Sequence, residues 1–321
     1  MRQTSTFITT VAVDKKYSDY FSTRLQRVDG YAMVDRIGCG GHGTVLRAVC
    51  LTTNKVVAVK EVRNTELAKL EATAMNDCQH QNVAVLDAQV TTRSATYLAM
   101  PLADHGSLFD AMGPHAGKGL GEYLCRGMFQ QLVAGLKHMH AKGYVHRDLK
   151  PANILVYLKA SAESARLVNF LFGKGSRHAL TLKIADLGAA TTKTCMGLAG
   201  TPGYWAPEVV EAANKTPQAT YDGKKADIWC LGVILYEMLT GTRYMTVDDH
   251  KIQTPTEPQV FHARLEPFSK EVRNLITGMM ICYPVIRPTL ADIQKHAWIT
   301  RTLAPKTQDE FLGCPVSSLY L

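Results

Sequence analysis

The sequence predicts an α+β chain in two parts: a small antiparallel sheet with one helix, then a larger and mainly helical part. Three observations predict it. Residues 31–62 run as short alternating or β-branched stretches broken by glycine and asparagine turns. Beyond Pro101 the apolar residues recur at spacings of three and four. The 321-residue chain is 46% hydrophobic and 20% charged, enough apolar material for a full core, so global disorder and collagen-like or coiled-coil architectures are excluded.

Residues 1–30 are rich in Ser, Thr and charge without periodicity and are expected to form an extension. From Tyr31 an alternating run, a glycine cluster and Thr44–Val49 predict strand, turn and strand. Asn54 marks a second turn and Val56–Val59 a third strand. Thr65–Cys78 has helical spacing, with Leu67, Leu70, Ala74 and Met75 on the face expected to be buried. Val83–Gln89 and Tyr97–Leu102 complete five strands. After a short connection near 101–105, Gly121–Lys142 carries Leu124, Met128, Leu132, Leu136 and Met139 along one side of a helix. Ala226–Leu239 is apolar nearly all round and predicts a buried helix, and Ser269–Met280 is amphipathic with Ser269 as its N-cap.

The net charge is +8, from 36 basic and 28 acidic residues, with no block of five like charges. That permits a phosphate-bearing ligand and gives no reason to expect a nucleic-acid partner. The eight cysteines, Cys39, Cys50, Cys78, Cys125, Cys195, Cys230, Cys282 and Cys314, show no Cys-x-x-Cys and no zinc spacing. They are expected to be reduced thiols of an intracellular protein, cytoplasmic or nuclear. No apolar run reaches the about 18 residues a membrane helix needs, so no membrane partner is expected. Phe7–Val13 is too short and too interrupted for a signal sequence.

Chemistry concentrates in four places. Gly38-Cys39-Gly40-Gly41-His42-Gly43-Thr44-Val45 fits G-x-G-x-x-G-x-V. It is followed by a strand, not the helix of a dinucleotide fingerprint, so it is either a plain hairpin or a flap whose backbone N–H groups cover phosphates. Lys60 ends the strand Val57-Ala58-Val59-Lys60. It is either a snorkelling edge residue or, beneath such a flap, a partner for α and β phosphates, with Glu71 in the next helix as the carboxylate to hold it. His146-Arg147-Asp148-Leu149-Lys150-Pro151-Ala152-Asn153 puts a base, a phosphate cation and a metal ligand on one loop. Ile184-Ala185-Asp186-Leu187-Gly188 is an apolar strand ending in a carboxylate and a glycine turn, which suits Asp186 to Mg²⁺.

On these residues the chain resembles the eukaryotic protein kinases of serine/threonine type, over about Tyr31–Trp298. Ala206-Pro207-Glu208, Asp227-Ile228-Trp229-Cys230-Leu231-Gly232 and Arg287-Pro288-Thr289 follow in the family's order. Leu235–Gly241 and His296-Ala297-Trp298-Ile299 are similar to the calmodulin-dependent-kinase-like group. The resemblance implies a bilobal protein kinase fold. Its five-stranded N-terminal lobe would span 31–102, its helical C-terminal lobe 103–299, and a tail 300–321. It implies transfer of the γ-phosphate of ATP to protein Ser/Thr hydroxyls with Mg²⁺, for which Mn²⁺ could substitute. Gly38, Gly40 and Gly43 would cover the phosphates, and Val45 and Ala58 would sandwich the adenine. Met100 would be the gatekeeper, with the hinge over 101–103. Ile37, Cys39, Leu102, Ala103 and Leu155 complete the implied nucleotide site. Lys60 would bind the α and β phosphates, held by Glu71. Asp148 would take the substrate proton, Lys150 would neutralise the transferred group, Thr201 would bond near both, and Asn153 and Asp186 would hold the metal. Glu208 and Arg287 would form a buried ion pair.

The sequence also departs from the family. Leu187 stands where phenylalanine is usual. Lys60 and Glu71 are only 11 residues apart, so the helix must start early. Asn153 and Asp186 are 33 apart, which leaves an insertion over about 158–180 containing Leu167-Val168-Asn169-Phe170-Leu171-Phe172. An inserted surface loop or hairpin is the plain reading, and a docking surface for a partner the sharper one. Arg147 with Thr191, Thr192 and Thr194 suggests control by a phosphate, although Gly197 occupies the family's usual site. Ser107 and Ala152 stand where basophilic relatives have acids, and only Glu237 remains, so a weak preference for arginine upstream of the target is expected. Cys39 is expected to be a small packed residue, His138, His140 and His146 structural, and the protein a monomer. A pseudokinase-like scaffold that binds nucleotide and partners without efficient catalysis is the alternative.

Overall fold

The computed structural model describes residues 26–160, 178–244 and 258–300. The chain divides into two compact units. One ends at Lys69 and resumes over Leu86–Leu102, and the other takes Leu70–Val85 and runs on from Ala103.

The first unit is an antiparallel sheet of β1 (Arg27–Val28), β2 (Tyr31–Gly40), β3 (Gly43–Cys50), β4 (Val56–Val62), β5 (Ala88–Thr91) and β6 (Thr96–Pro101), in the order β1-β2-β3-β4-β6-β5. Its strands alternate as the sequence implies. Met33, Ala48, Val57, Val59, Tyr97 and Ala99 form one buried face. The sheet has six strands, not the expected five. Val28 packs into that same core and Leu51 donates its N–H to Gly30, which draws Arg27–Val28 into pairing with β2. The strand expected over Val83–Gln89 begins only at Ala88, because Val83 bridges in parallel to Ile184 within the second unit.

Helix α1 (Thr65–Asp77) does start early. The Asn64 side chain accepts from the N–H groups of Glu66 and Leu67 at 3.1 Å each, capping the helix two residues after β4 ends. Its buried face includes Ala74 and Met75, as expected, but not Leu67 and Leu70. Leu67 and Leu70 are 45% and 61% exposed, while Ala68, Glu71, Ala72, Ala74, Met75 and Cys78 are buried. Small alanines let the backbone approach its neighbours closely, and that phase turns Glu71 inward.

In the second unit Ser107 caps α2 (Leu108–Met112) through a reciprocal capping box with Asp110. Helix α3 (Glu122–Ala141) buries all five residues expected of it. After β7 (Ile154–Ala160), β8 (His178–Ile184) and the two-residue β9 (Cys195–Met196), α4 (Pro207–Lys215) and β10 (Thr220–Tyr221) lead to α5 (Gly223–Thr240), which is buried on every side from Ala226 onward. Helices α6 (Pro258–Leu265), α7 (Lys270–Met279), α8 (Leu290–Lys295) and α9 (Ala297–Thr300) complete the unit. Ser269 caps α7 as expected, accepting from Val272 N–H at 3.3 Å. Glu122 ties the helices together, accepting from Ser269 and from Trp298 Nε1 at 2.7 Å.

Strands β7 and β8 pair antiparallel from Ile154↔Ile184 to Ala160↔His178, so the described ends of the insertion form a hairpin. The apolar run at Leu167–Phe172 lies outside the described residues, as do 1–25, Cys314 and the rest of the tail beyond Thr300. The described cysteines are free thiols, and no described helix is long and apolar enough to cross a membrane.

Candidate active site

The loop His146–Asn153 takes its shape from an acid buried in α5. Asp227 accepts the His146 N–H at 2.9 Å through Oδ2 and the Arg147 N–H at 3.0 Å through Oδ1, and His140 Nε2 lies 2.8 Å from Oδ2. These two amide bonds hold Arg147 in the left-handed region at φ 66°, where a non-glycine residue stays only if its surroundings over-determine it. His146 is fully buried. Its Nδ1 accepts the Asp148 N–H at 3.2 Å, so the proton sits on Nε2, which donates to Ala185 O at 3.0 Å. His146 and His140 are therefore structural, as expected.

The turn so fixed presents Asp148, only 4% exposed. Thr201 Oγ1 donates to Asp148 Oδ1 at 2.8 Å, and Lys150 Nζ donates to Oδ2 at 2.9 Å and to Thr201 Oγ1 at 2.5 Å. Asn153 Nδ2 donates to Asp148 O at 2.8 Å and to Oδ2 at 3.0 Å. The structure thus brings Asp148, Lys150, Asn153 and Thr201 into one hydrogen-bonded cluster. Gly200 makes Thr201's approach feasible: its φ is +89°, and a Cβ there would run into the Arg147 carbonyl oxygen.

Asp186 follows β8 in the left-handed conformation, φ 57° and ψ 66°. The Ala185 N–H donates to Asn153 O at 2.8 Å, and a carboxylate oxygen of Asp186 lies within 4.8 Å of one of Asp148. Leu187 is buried. Both nitrogen-borne bonds of Asn153 run to Asp148, which leaves its Oδ1 as a donor atom beside the Asp148 carboxylate. This oxygen set suits a hard divalent cation such as Mg²⁺. The next segment is anchored by Val145 and Thr191 exchanging backbone bonds and by Arg147 Nε donating to Ala189 O at 2.6 Å. Leu155 is half-buried and bridges Ser107.

In the first unit, Gly38 and Val45 are opposite one another across β2 and β3, with Cys39 opposite Thr44 and Gly40 opposite Gly43. Gly43 has φ +137°, and a Cβ there would strike the Glu61 carbonyl oxygen, so only glycine closes this turn against β4. Cys39 is exposed, correcting the expectation that it packs, because the turn projects its side chain outward. Ile37 is also exposed. Ala58 and Met100 are buried partners across β4 and β6, and Lys60 pairs with Val45 and Leu98. Lys60 is buried at 5% exposure and so is no snorkelling edge residue; Glu71, on α1, is 2% exposed. Leu102 and Ala103 follow β6, half-buried.

A profile of the protein kinase domain matches residues 31–299. The chain belongs to the protein kinase family. Among its relatives, sperm motility kinase 2B of Mus musculus is 32% identical over 278 residues, covering 84% of this chain and 52% of that protein. The calcium/calmodulin-dependent protein kinase type II alpha chain of Drosophila melanogaster is 29% identical over 282 residues, covering 84% and 49%. The chain spans about half the length of the curated relatives it matches.

Sequence reasoning noted the motif around Asp227 but gave the acid no role. The signal was available: a carboxylate inside a mostly apolar helix needs buried donors. The expected ion pair is present and bidentate, Arg287 donating to Glu208 at 2.7 and 3.0 Å and also to Ile281 O and Lys225 O.

Proposed function

We propose that the chain is a protein serine/threonine kinase that transfers the γ-phosphoryl group of ATP to protein hydroxyls with Mg²⁺. The observation that carries this is the Asp148 carboxylate held on both oxygens by Thr201, Lys150 and Asn153. A carboxylate fixed this way is an oriented acceptor for an incoming hydroxyl: it aligns the oxygen and takes its proton as the bond to phosphorus forms. Lys150 brings a cation to the same point and offsets charge on the transferred group. Asn153 Oδ1 and Asp186 are assigned to the metal, which when bound would draw charge from the phosphate oxygens. Gly38, Gly40 and Gly43 are assigned to the phosphates and Lys60 to the α and β phosphates, with Glu71 as its counter-ion. Ile37, Cys39, Val45, Ala58, Met100, Leu102, Ala103 and Leu155 are assigned to the nucleotide.

The test is phosphate transfer from labelled ATP to a mixed Ser/Thr peptide library, wild type beside Asp148→Asn. Loss of the base should lower the rate about 10²–10⁴-fold. Equal rates for the two would refute the assignment of Asp148, and nucleotide binding without transfer would favour the scaffold.

A further inference from the structure

We propose that the groove between α6 and α7 is a docking site for an acidic segment of a partner protein, with Arg273 receiving a Glu or Asp side chain. The groove shares no residue with the Asp148 cluster, and the proposal does not depend on the kinase reading.

Helix α7 buries Val272, Leu275, Ile276 and Met279. Lys270, Arg273, Asn274 and Thr277, at spacings of three and four, share its other side. With His262 on α6 and Glu266 just past its end, they line an open groove of about 580 Å³. Arg273 is half-buried. Its Nε is closed off from water and has no hydrogen-bond partner. Among the described residues its two terminal nitrogens have no acceptor either, and they are open to solvent. The stem is thus packed while the planar fork is presented, the arrangement that pairs bidentately with a carboxylate. Asn274 adds a donor. His296 Nδ1 accepts the Trp298 N–H at 3.2 Å, so its Nε2 carries the proton and donates to Asn274 Oδ1 at 3.1 Å. The NH₂ of Asn274 remains to be shared with a ligand.

Charge decides the class of anion. Lys270 and Arg273 bring two positive charges and Glu266 one negative, which leaves one positive charge with histidine counted as neutral. One carboxylate neutralises that balance, whereas a phosphate group, at about −1.5 to −2, overshoots it beside Glu266. Openness decides the source. His262, Glu266, Lys270 and Asn274 are exposed, so a free small molecule would stay largely in water, unlike the ligand of an enclosing pocket. A peptide can run along such a groove, setting its acid at Arg273 and an apolar neighbour on Ala263 and the buried Leu265.

The full chain is tested by fluorescence anisotropy with short labelled peptides that carry one Leu and one Glu at every relative spacing, each beside its Gln counterpart. Wild type should bind the best Glu peptide about fivefold tighter than the Gln version, the scale of one exposed ion pair. Arg273→Gln should abolish that difference, and Lys270→Gln should weaken it, which carries the test if melting temperatures show Arg273→Gln misfolded. Glu266→Gln should widen it. Arg264→Gln removes an exposed cation of α6 outside the groove and should leave it unchanged. Phosphoserine in place of Glu should bind no tighter in wild type and tighter in Glu266→Gln. Free glutarate should not displace the peptide at concentrations where unlabelled peptide does. No Glu preference in wild type at any spacing, the same preference in a folded Arg273→Gln, or an equal loss in Arg264→Gln would overturn the proposal. So would a wild-type preference for phosphoserine, or displacement by glutarate, which would assign the groove to small carboxylates. Because the readout is binding, a failure of phosphate transfer would refute the kinase reading and leave this proposal standing.

Discussion

Replacing Thr201 by valine keeps the side-chain shape and deletes one oxygen. That oxygen donates to Asp148 Oδ1 at 2.8 Å and accepts from Lys150 at 2.5 Å. Asp148 itself is nearly inaccessible, so its Oδ1 has little water with which to replace the lost donor. A hydrogen bond to a charged group contributes about 1.5–3 kcal/mol, and losing it from the orienting set should lower kcat about 10–150-fold. KM for ATP should move little, because the lost bond acts on the hydroxyl side. Thr201→Ser keeps the oxygen and should stay within about threefold, well inside the loss of one such bond. Steady-state kinetics at saturating ATP with a single serine peptide separates the two constants, and melting temperatures check folding. A Val variant as active as wild type would refute the reasoning. So would a Ser variant that falls as far as Val, since the effect would then belong to the methyl group's packing.

Glu208→Gln should destabilise the protein by about 3–5 kcal/mol, because Arg287 is buried and keeps its charge when the carboxylate is gone. Differential scanning calorimetry should show a melting temperature lower by several degrees, and an unchanged one would mean the pair is no more than a surface contact. His80 gives a pH prediction. Its pKa is lowered from 6.5, first by burial, then by His138, whose ring stacks on it at 5.1 Å, and by Lys183. The folded state therefore binds fewer protons than the unfolded one. The stability this group contributes is complete above pH 6.5 and is lost as pH falls from there through the lower folded value. His80→Gln should show a smaller drop in melting temperature between pH 7 and pH 5.5 than wild type, and an equal drop would refute the role of this pair.

Much of the fold was legible because local signals agreed with it. The three-and-four spacing of Leu124, Met128, Leu132, Leu136 and Met139 fixed the buried side of α3, and Ser269 marked the start of α7. Where the signal was weak, tertiary packing decided. Two residues, Arg27 and Val28, are too few to read as a strand, yet Val28 reaches a core already formed by β2, β3 and β4. Along α1 the leucines pointed to one face, but the alanines and Glu71 occupy the buried one. Hydrophobicity alone ranks leucine above alanine. It cannot rank the close approach that only a small side chain permits, nor the burial of an acid.

The candidate site was legible for a different reason. Asp148, Lys150, Asn153 and Asp186 stand in short strings whose chemistry is explicit, whereas the forces that shape the strings come from elsewhere in the chain. Among the described residues four non-glycines have positive φ: Asp29, Asn54, Arg147 and Asp186. The first two sit in turns, where Asp and Asn tolerate that conformation. The other two flank the cluster, each at a cost of about 1–3 kcal/mol, so something non-local must hold them. For Arg147 it is Asp227, eighty residues later, accepting two successive amides, with Ala189 O taking the side chain. For Asp186 it is the bond from the preceding amide to Asn153 and the burial of Leu187 behind it. The leucine that departs from the family pattern thus retains the apolar anchor this turn requires. Strain around the acids and its offset from α5 are two parts of one arrangement, and only the first part is written beside the acids in the sequence.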